Sequence, residues 1–294
     1  ALFNGPKDFL AKAQVFKIHI LVFLEKIFSL RKRLSKAYFC QMSEEKEKKY
    51  YRGRLAPTPS GYLHEGHART LQVAWARANA CSGALVFRND DLDPLRCRQE
   101  YVESAMEDLR GLGLAWSEGP DCGGAYGPYD QSKRTALYVS ALRQLVERGF
   151  AYPCRKSRKE IRGSGTLSKG GDEFLFPEEF RPVGESCFSE NFPGSINWRF
   201  RVEWNTTVSF VDQAKGLQEF QTGRDFSDFL VWRKDGVASY ELATVVDDHA
   251  MDITEVVRGE DLLVSSARQC MLFDSLGWSR PSFSHCELML DAEG

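Results

Sequence analysis

The first half of the chain alternates short strand-like segments with longer helical ones. Gly53–Ala56 and Ala84–Arg88 are short segments that end at a turn-forming proline or asparagine, and each predicts a strand. Ala68–Ala80, Gln99–Arg110 and Lys133–Arg148 have the composition of helices, and a glycine directly follows the last two. The order strand, helix, strand, helix predicts an α/β domain built on a parallel sheet.

The second half of the chain departs from this rhythm. Residues 152–193 are rich in Gly, Ser, Lys and Glu and have few apolar periods, which predicts an inserted subdomain or a long loop. Ile196–Phe210 shows the alternation of strands, and Phe229–Trp232 and Ser239–Val246 predict two strands joined by a tight turn. Ser265–Leu276 predicts a helix.

Residues 1–50 differ from the rest of the chain. Between Lys7 and Lys36, eight basic residues stand against two acids, Asp8 and Glu25, and apolar residues are interleaved with them. This pattern fits a basic amphipathic targeting or membrane-surface segment, or a poorly ordered extension. We favour the extension, because chain termini tolerate such additions.

Composition excludes several broad classes of protein. The chain has 294 residues, of which 43% are hydrophobic and 27% charged, and its formal net charge is -2. Such a balance argues against binding of nucleic acid by bulk charge, but it leaves room for a local basic patch. No apolar run approaches the roughly 18 residues that a membrane-spanning helix needs, so we expect no membrane partner. The eight cysteines are scattered without a C-x-x-C pair, which favours reduced thiols in a cytoplasmic protein.

The sharpest local feature is the turn Pro57–His67, which lies between a predicted strand and a predicted helix. Free N–H groups at a helix N-terminus favour phosphate, and Gly66 lets the backbone approach a ligand closely. His64 and His67 flank that glycine and could donate hydrogen bonds to phosphate oxygens as charge builds during a reaction. An H-x-G-H pattern alone leaves this interpretation and two ordinary loop histidines equally open.

The residues around the turn extend the pattern into a family resemblance. Gly53–Gly61 together with His64-x-Gly66-His67 resembles the first signature of the class I aminoacyl-tRNA synthetases in its glutamyl form. Further segments of the same family follow in order: Arg88–Pro94, Gly127–Ser132, Ser239–Asp248 and Val257–Leu263. The resemblance covers about Tyr51 to Gly294, and it is weak across the predicted insertion.

This resemblance implies a fold and a division into domains. The expected fold is α/β: a Rossmann-like, parallel-sheet class I synthetase catalytic domain with an inserted subdomain. Its first half would be residues 51–151, the insertion 152–195 and its second half 196–294.

Two details favour one subgroup, the glutamyl-queuosine tRNA(Asp) synthetases. Asp-Leu-Asp-Pro replaces the Asp-Thr-Asp of full glutamyl-tRNA synthetases, and Tyr-Glu-Leu-Ala replaces Tyr-Asn-Phe-Ala. The resemblance implies an enzyme that activates glutamate with ATP and attaches it to the queuosine base of tRNA(Asp), and we expect a monomer. Two alternatives stay open, the N-terminal part of a full glutamyl-tRNA synthetase and a non-catalytic relic of the fold that binds tRNA or another partner.

The resemblance also assigns residues to the two substrates. The glutamate-binding set would be Arg54, Ala56, Thr58, Asp90, Tyr240 and Arg258. Guanidinium groups bind carboxylates in pairs of hydrogen bonds, and an aspartate would hold the ammonium group. Asp90 stands where relatives have glutamate and is one methylene shorter, so a bridging water could complete that contact. ATP would contact His64, Gly66, His67 and Glu260, the last at the ribose or adenine.

Departures from the family pattern shape the remaining expectations. Leu288–Gly294 ends before the lysine-rich signature of relatives, so we expect weak glutamate activation from this chain alone. Cys154 and Cys187 offer two of the four ligands that structural zinc needs, so we expect no zinc and no protein metal site. Mg²⁺ would enter with ATP, held by phosphates and water. Asp247 and Asp248 are equally open as metal ligands or catalytic acids and as helix caps.

Overall fold

A computed structural model describes residues 50–63, 65–171, 173–182 and 192–288. Residues 1–49 of the predicted N-terminal extension, His64 and Cys187 lie outside the described residues.

The fold begins with a strand–helix–strand unit. Strand β1 (Arg52–Leu55) leads through the signature turn into helix α1 (Glu65–Ala80), and strand β2 (Ala84–Phe87) follows. The two strands pair in parallel, with Arg54 opposite Val86. Both strands are buried along their whole length, which is typical of a parallel sheet covered on both faces. The predicted first strands and first helix are therefore confirmed.

A second parallel pair extends this layer. Strands β8 (Glu255–Gly259) and β9 (Ser282–Cys286) pair in parallel, and the amide of Thr254 donates to the carbonyl of Arg52 over 2.8 Å. This bond sets β8 beside β1, so that both strands end at the same edge of the layer. The parallel sheet that the sequence predicted is confirmed.

Three further helices follow along the chain. Helices α2 (Gln99–Gly111) and α3 (Thr135–Glu147) match predicted segments, while α4 (Arg158–Ser164) lies within the predicted insertion. Helix α4 begins with a capping box, in which Ser157 and Glu160 each accept a hydrogen bond from the other's backbone amide.

Antiparallel strands make up the rest of the described sheet structure. Strands β3 (Ala151–Cys154), β4 (Asn197–Phe200) and β7 (Phe229–Trp232) form a three-stranded antiparallel sheet. Strands β5 (Thr207–Asp212) and β6 (Gly216–Gln221) form a hairpin that joins β9 through Asp212. The predicted strand-like segment 196–210 is thus divided between two different sheets.

One predicted element is wrong. Ser239–Val246, predicted as a strand, belongs to helix α5 (Tyr240–Ala250). The Ser239 hydroxyl caps this helix by accepting from the amide of Leu242 over 3.3 Å. Residues 241–248 are all buried, so the segment shows no polar face and resembles a buried strand in composition.

Residues of the hydrophobic core pack against one side of α5. Buried Leu242, Val245 and Val246 pack in the main hydrophobic cluster with Phe273. Phe273 belongs to helix α6 (Leu263–Leu276), which confirms the last predicted helix. Because α5 is held on this side, its opposite face has a fixed direction toward β1 and β8. No helix within the described ranges is long and apolar enough to cross a membrane.

Candidate functional site

The signature turn lies at the N-terminus of α1. The helix begins at Glu65, which sets Gly66 and His67 in its first turn, where backbone N–H groups have no helical acceptor. His67 is exposed, and the Thr70 hydroxyl donates to the Gly66 carbonyl over 3.2 Å. The predicted position of this motif at a helix N-terminus is confirmed, and its contact with ATP stays a prediction.

Two predicted glutamate ligands stand in the turn itself. Ala56 is half-buried and Thr58 is exposed, directly after β1. The carbonyl of Pro57 accepts a hydrogen bond from the amide of Asp90 over 3.2 Å, which ties the turn to the segment after β2. The ends of two parallel strands therefore meet at this point, where ligands commonly bind to such sheets.

Arg258 and Tyr240 are in direct contact. Nη1 of Arg258 donates to the Tyr240 hydroxyl over 3.2 Å, and Nη2 donates to the Ser266 hydroxyl over 2.5 Å. Arg258 is 4% exposed, whereas Tyr240 is 37% exposed. The pair therefore combines a buried guanidinium with a hydroxyl that solvent or a ligand can reach.

Arg54 is the second buried guanidinium of the site. Its Nη1 donates to the carbonyl of Val257 over 2.9 Å, and its Nε lies 3.6 Å from Oδ1 of Asp248 without a hydrogen-bond partner among the described residues. Burial lowers the pKa of Arg54, as do the nearby cations Arg88 and Arg258. A buried cation with an unused donor is a suitable anchor for a carboxylate ligand.

Asp90 is connected to Arg54 through a chain of ion pairs. Nε of Arg88 donates to Asp90 over 2.7 Å, and Nη1 of Arg88 donates to Asp248 over 2.6 Å. Burial raises the pKa of Asp90 to about 6, although Arg88 opposes this rise. Asp90 therefore carries a partner already, which the sequence did not reveal.

Asp247 and Asp248 are structural anions within α5 and do not cap it. Asp247 accepts from Arg134 over 2.6 Å and from Gln131 and Tyr138 over 2.8 Å each. Asp248 accepts from Arg88 through its Oδ1, so both carboxylates are paired with buried arginines. The described part of the chain holds no cluster of three or more His, Cys, Asp or Glu side chains arranged for a metal.

A buried chain of hydrogen bonds supports Arg258 from behind. Nδ1 of His285 lies 2.6 Å from Oδ2 of Asp212, and its Nε2 lies 2.8 Å from the Ser266 hydroxyl and 3.3 Å from Nε of Arg258. Burial lowers the pKa of His285, although the contact with Asp212 opposes this change. Sequence reasoning missed this chain, because its members come from four separate elements.

One face of α5 lines the site. Tyr240, Thr244 and Asp248 are spaced four residues apart and therefore share a helix face. Tyr240 contacts Arg258 and Asp248 approaches Arg54, so Thr244 lies between them along the helix. The Thr244 hydroxyl is buried and has no hydrogen-bond partner among the described residues. It is a site candidate that the sequence motif contained but did not single out.

Glu260, the predicted ribose or adenine contact, follows β8. Its carboxylate forms an ion pair with Lys215 and accepts from the amide of Leu288 over 3.1 Å. The Lys215 contact lowers the pKa of Glu260, which keeps it ionised. Its contact with ATP stays a prediction.

Cys154 is the one predicted zinc ligand among the described residues. Cys154 is a buried, free thiol in β3, among hydrophobic neighbours. The expectation of no zinc site stays a prediction, because Cys187 lies outside the described residues.

These features define a class of protein. A helix N-terminus with free backbone N–H groups and two buried arginines near the ends of parallel strands are typical of an α/β domain whose site suits a nucleotide beside a small anion. The model of the catalytic domain of the class I tRNA synthetases (E and Q) matches residues 51–294, and the chain belongs to this family. The predicted family and fold are confirmed.

Individual relatives agree with this membership. The glutamyl-Q tRNA(Asp) synthetase of Symbiobacterium thermophilum is 42% identical over 252 residues, which cover 82% of this chain and 76% of the relative. The glutamate–tRNA ligase of Oceanobacillus iheyensis is 37% identical over 83% of this chain and 50% of its own length. The crystal structure of a glutamate tRNA ligase from Elizabethkingia meningosepticum, in complex with its amino acid, has a TM-score of 0.72 at 30% identity, covering 84% of this chain and 51% of that one.

Proposed function

We propose that this protein activates glutamate with ATP and transfers it to queuosine in tRNA(Asp). The observation that carries this proposal is the pair of buried arginines, Arg54 and Arg258, beside the exposed hydroxyl of Tyr240. Glutamate has two carboxylates, and guanidinium groups are the side chains that bind carboxylates best. The glutamyl-Q subgroup among the relatives supports the choice of acceptor.

The reaction has two steps. A carboxylate oxygen of glutamate bonds to the α-phosphorus of ATP, and pyrophosphate leaves. A hydroxyl oxygen of queuosine then bonds to the glutamyl carbonyl carbon, the bond from that carbon to AMP breaks, and the hydroxyl proton passes to the departing phosphate. Gly66 and His67, at the start of α1, would hold the phosphates together with His64 of the same motif, because backbone N–H groups at a helix N-terminus favour negative charge.

The other glutamate contacts follow from position. Asp90 would hold the substrate ammonium in its ionised form, with Ala56 and Thr58 along the turn beside it. Glu260 would reach the ribose or adenine. Mg²⁺ would be held by the phosphates and water, since Asp247 and Asp248 are each engaged by an arginine. We propose a monomer in the cytoplasm, a setting that fits the free thiols in the described part of the chain.

Exchange of pyrophosphate into ATP tests the amino-acid half of the proposal. The full-length gene product is assayed with glutamate, glutamine and aspartate, each with and without tRNA. Exchange is expected with glutamate and not with glutamine or aspartate, because glutamine lacks the second carboxylate charge and aspartate is a methylene shorter. Absence of glutamate-dependent exchange under all conditions would overturn the proposal and favour a non-catalytic binding protein.

A further inference from the structure

A cavity of roughly 590 Å³ opens directly beside Tyr240. It lies between α4, the start of β7 and the beginning of α5, where Tyr240 and Glu241 line its wall. Small-molecule sites typically enclose about 300–1,000 Å³, so the cavity is large enough for a nucleoside side chain. Because Tyr240 also contacts Arg258, this α4–α5 cavity begins where the proposed glutamate site ends.

Unsatisfied polar atoms are concentrated on the wall of the cavity. Nε of Arg199, Oε2 of Glu241 and Nε of Arg268 are all buried and have no hydrogen-bond partner within the described ranges. A buried polar atom without a hydrogen-bond partner destabilises the fold. Three such atoms on one wall indicate that a polar ligand completes their hydrogen bonds.

Glu241 is the anion of the wall with the longest ion pair, and its Oε2 has no hydrogen-bond partner among the described residues. It is 7% exposed, and the nearest cationic atom recorded is Nη1 of Arg268, at 3.7 Å from its Oε1. Nη2 of Arg268 is already engaged by Glu173. Burial raises the pKa of Glu241, and Arg268 and Arg258 offset only part of this rise. A buried carboxylate in this state gains most from a ligand that brings a positive charge.

The other acids of the wall are already satisfied. Asp228 accepts from the Tyr152 hydroxyl over 2.5 Å and from two nitrogens of Arg181 over 2.6 and 2.8 Å. Glu173 is engaged by Arg268. The carboxylate of Glu241, the residue next to Tyr240, is therefore the acid of the cavity wall that remains for a ligand.

We infer that the α4–α5 cavity receives the side arm of queuosine and that Glu241 binds its protonated secondary amine. The inference rests on the proposed function, because it takes the acceptor from there. Queuosine carries a secondary amine between its deazaguanine ring and a cyclopentene diol, so a cation and two hydroxyls lie within a few bonds of each other. Glu241 takes the cation, and the diol then lies toward Tyr240, where the activated glutamate is expected.

The mouth of the cavity suits the rest of an RNA chain. Arg158 and Arg162 are both exposed on α4 and line the cavity. Guanidinium groups at a cavity mouth contact phosphates without reading sequence. They would hold the nucleotides on either side of queuosine.

The test compares transfer with activation in the same preparation of the full-length gene product. Glu241→Gln keeps the shape of the side chain and removes its charge. We expect the ratio of transfer onto queuosine-containing tRNA(Asp) to glutamate-dependent exchange to fall about tenfold. Glu241→Asp is expected to recover most of the ratio. Glu147→Gln, an exposed site at the end of α3, makes the same charge change and is expected to leave the ratio unaltered.

A second variant keeps the test decisive if Glu241→Gln fails to fold. Arg162→Ala changes an exposed side chain and is expected to raise the KM for tRNA about threefold or more. If folded Glu241→Gln leaves the ratio of transfer to exchange unchanged, the inference is overturned. This includes the case in which both activities fall by the same factor. If Glu241→Gln does not fold, an unchanged KM for Arg162→Ala overturns it instead. Failure of the unaltered protein to act on queuosine-containing tRNA, with exchange intact, overturns the proposed acceptor and this inference together.

Discussion

Nη1 of Arg258 donates a hydrogen bond to the hydroxyl of Tyr240 over 3.2 Å, across the gap between β8 and α5. The contact joins a cation that is 4% exposed to a side chain that is 37% exposed. The guanidinium is therefore directed at the surface that a substrate must approach. This relationship is the physical centre of the proposed glutamate site.

Removal of the Tyr240 hydroxyl tests that relationship. In Tyr240→Phe, Arg258 loses one acceptor and the substrate loses one hydroxyl contact. The KM for glutamate in pyrophosphate exchange is expected to rise about threefold to tenfold, with little change in melting temperature. Tyr50→Phe, which removes the hydroxyl of another exposed tyrosine, is the matched control. An unaltered KM would separate Tyr240 from the glutamate site.

Thr244 offers a sharper separation of binding from stability. Its hydroxyl is buried without a partner among the described residues, so Thr244→Val removes an unsatisfied group and keeps the shape. We expect unchanged or slightly greater resistance to urea, together with a KM for glutamate that rises about threefold or more. Lower stability without any change in KM would show that the hydroxyl serves the fold.

Asp248 supports the site through charge. Its carboxylate lies 2.6 Å from Nη1 of Arg88 and 3.6 Å from Nε of Arg54, and all three side chains are buried. In Asp248→Asn the two cations lose their shared anion, and the free energy of unfolding is expected to fall by about 3–5 kcal/mol. Urea denaturation measures this change. Asp235→Asn, which weakens a surface ion pair with Arg233, is expected to cost about 1 kcal/mol or less.

The raised pKa of Asp90 predicts a pH dependence of activity. Only the carboxylate form attracts the substrate ammonium, so kcat/KM for glutamate is expected to decline as pH falls through about 6. The same group affects stability with the opposite sign. The folded state binds its proton more tightly than the unfolded state, whose pKa is near 3.8, so the contribution of Asp90 to stability declines as pH rises through about 6. Protonation of Asp90 therefore does not by itself destabilise the fold, and a melting curve at each pH separates loss of activity from acid unfolding.

Two variants identify the group whose titration causes the change in kcat/KM. Asp90→Asn is expected to lower kcat/KM for glutamate and to remove the inflection near pH 6, which the raised pKa sets. Asp93→Asn, in the same segment but with a lowered pKa, is expected to keep the inflection. Persistence of the inflection in Asp90→Asn would assign it to another group.

Local pattern was enough for the elements whose two faces differ or whose ends carry strong signals. The signature turn and the start of α1 could be predicted because glycine and proline punctuate that segment. Ser239–Val246 could not be, since all residues from 241 to 248 are buried and the helix shows no amphipathic period there. The cap at Ser239 was the one local sign of a helix, and the apolar run concealed it.

The candidate site, like the fold, could be predicted only in part. The family motifs predicted that Arg54, Tyr240 and Arg258 belong to one site, because such signatures mark residues that face the same ligand. The partners that hold them could not be predicted. Asp248 and His285 act through contacts between residues far apart in the chain, and no local pattern encodes such pairs.

The most direct test of the account measures where labelled glutamate goes. The full-length gene product is incubated with ATP, labelled glutamate and one of three acceptors: queuosine-containing tRNA(Asp), the same tRNA with unmodified guanosine in place of queuosine, and tRNA(Glu). We predict label on the queuosine-containing tRNA(Asp) alone. Label on tRNA(Glu), or equal label on the two forms of tRNA(Asp), would contradict the account.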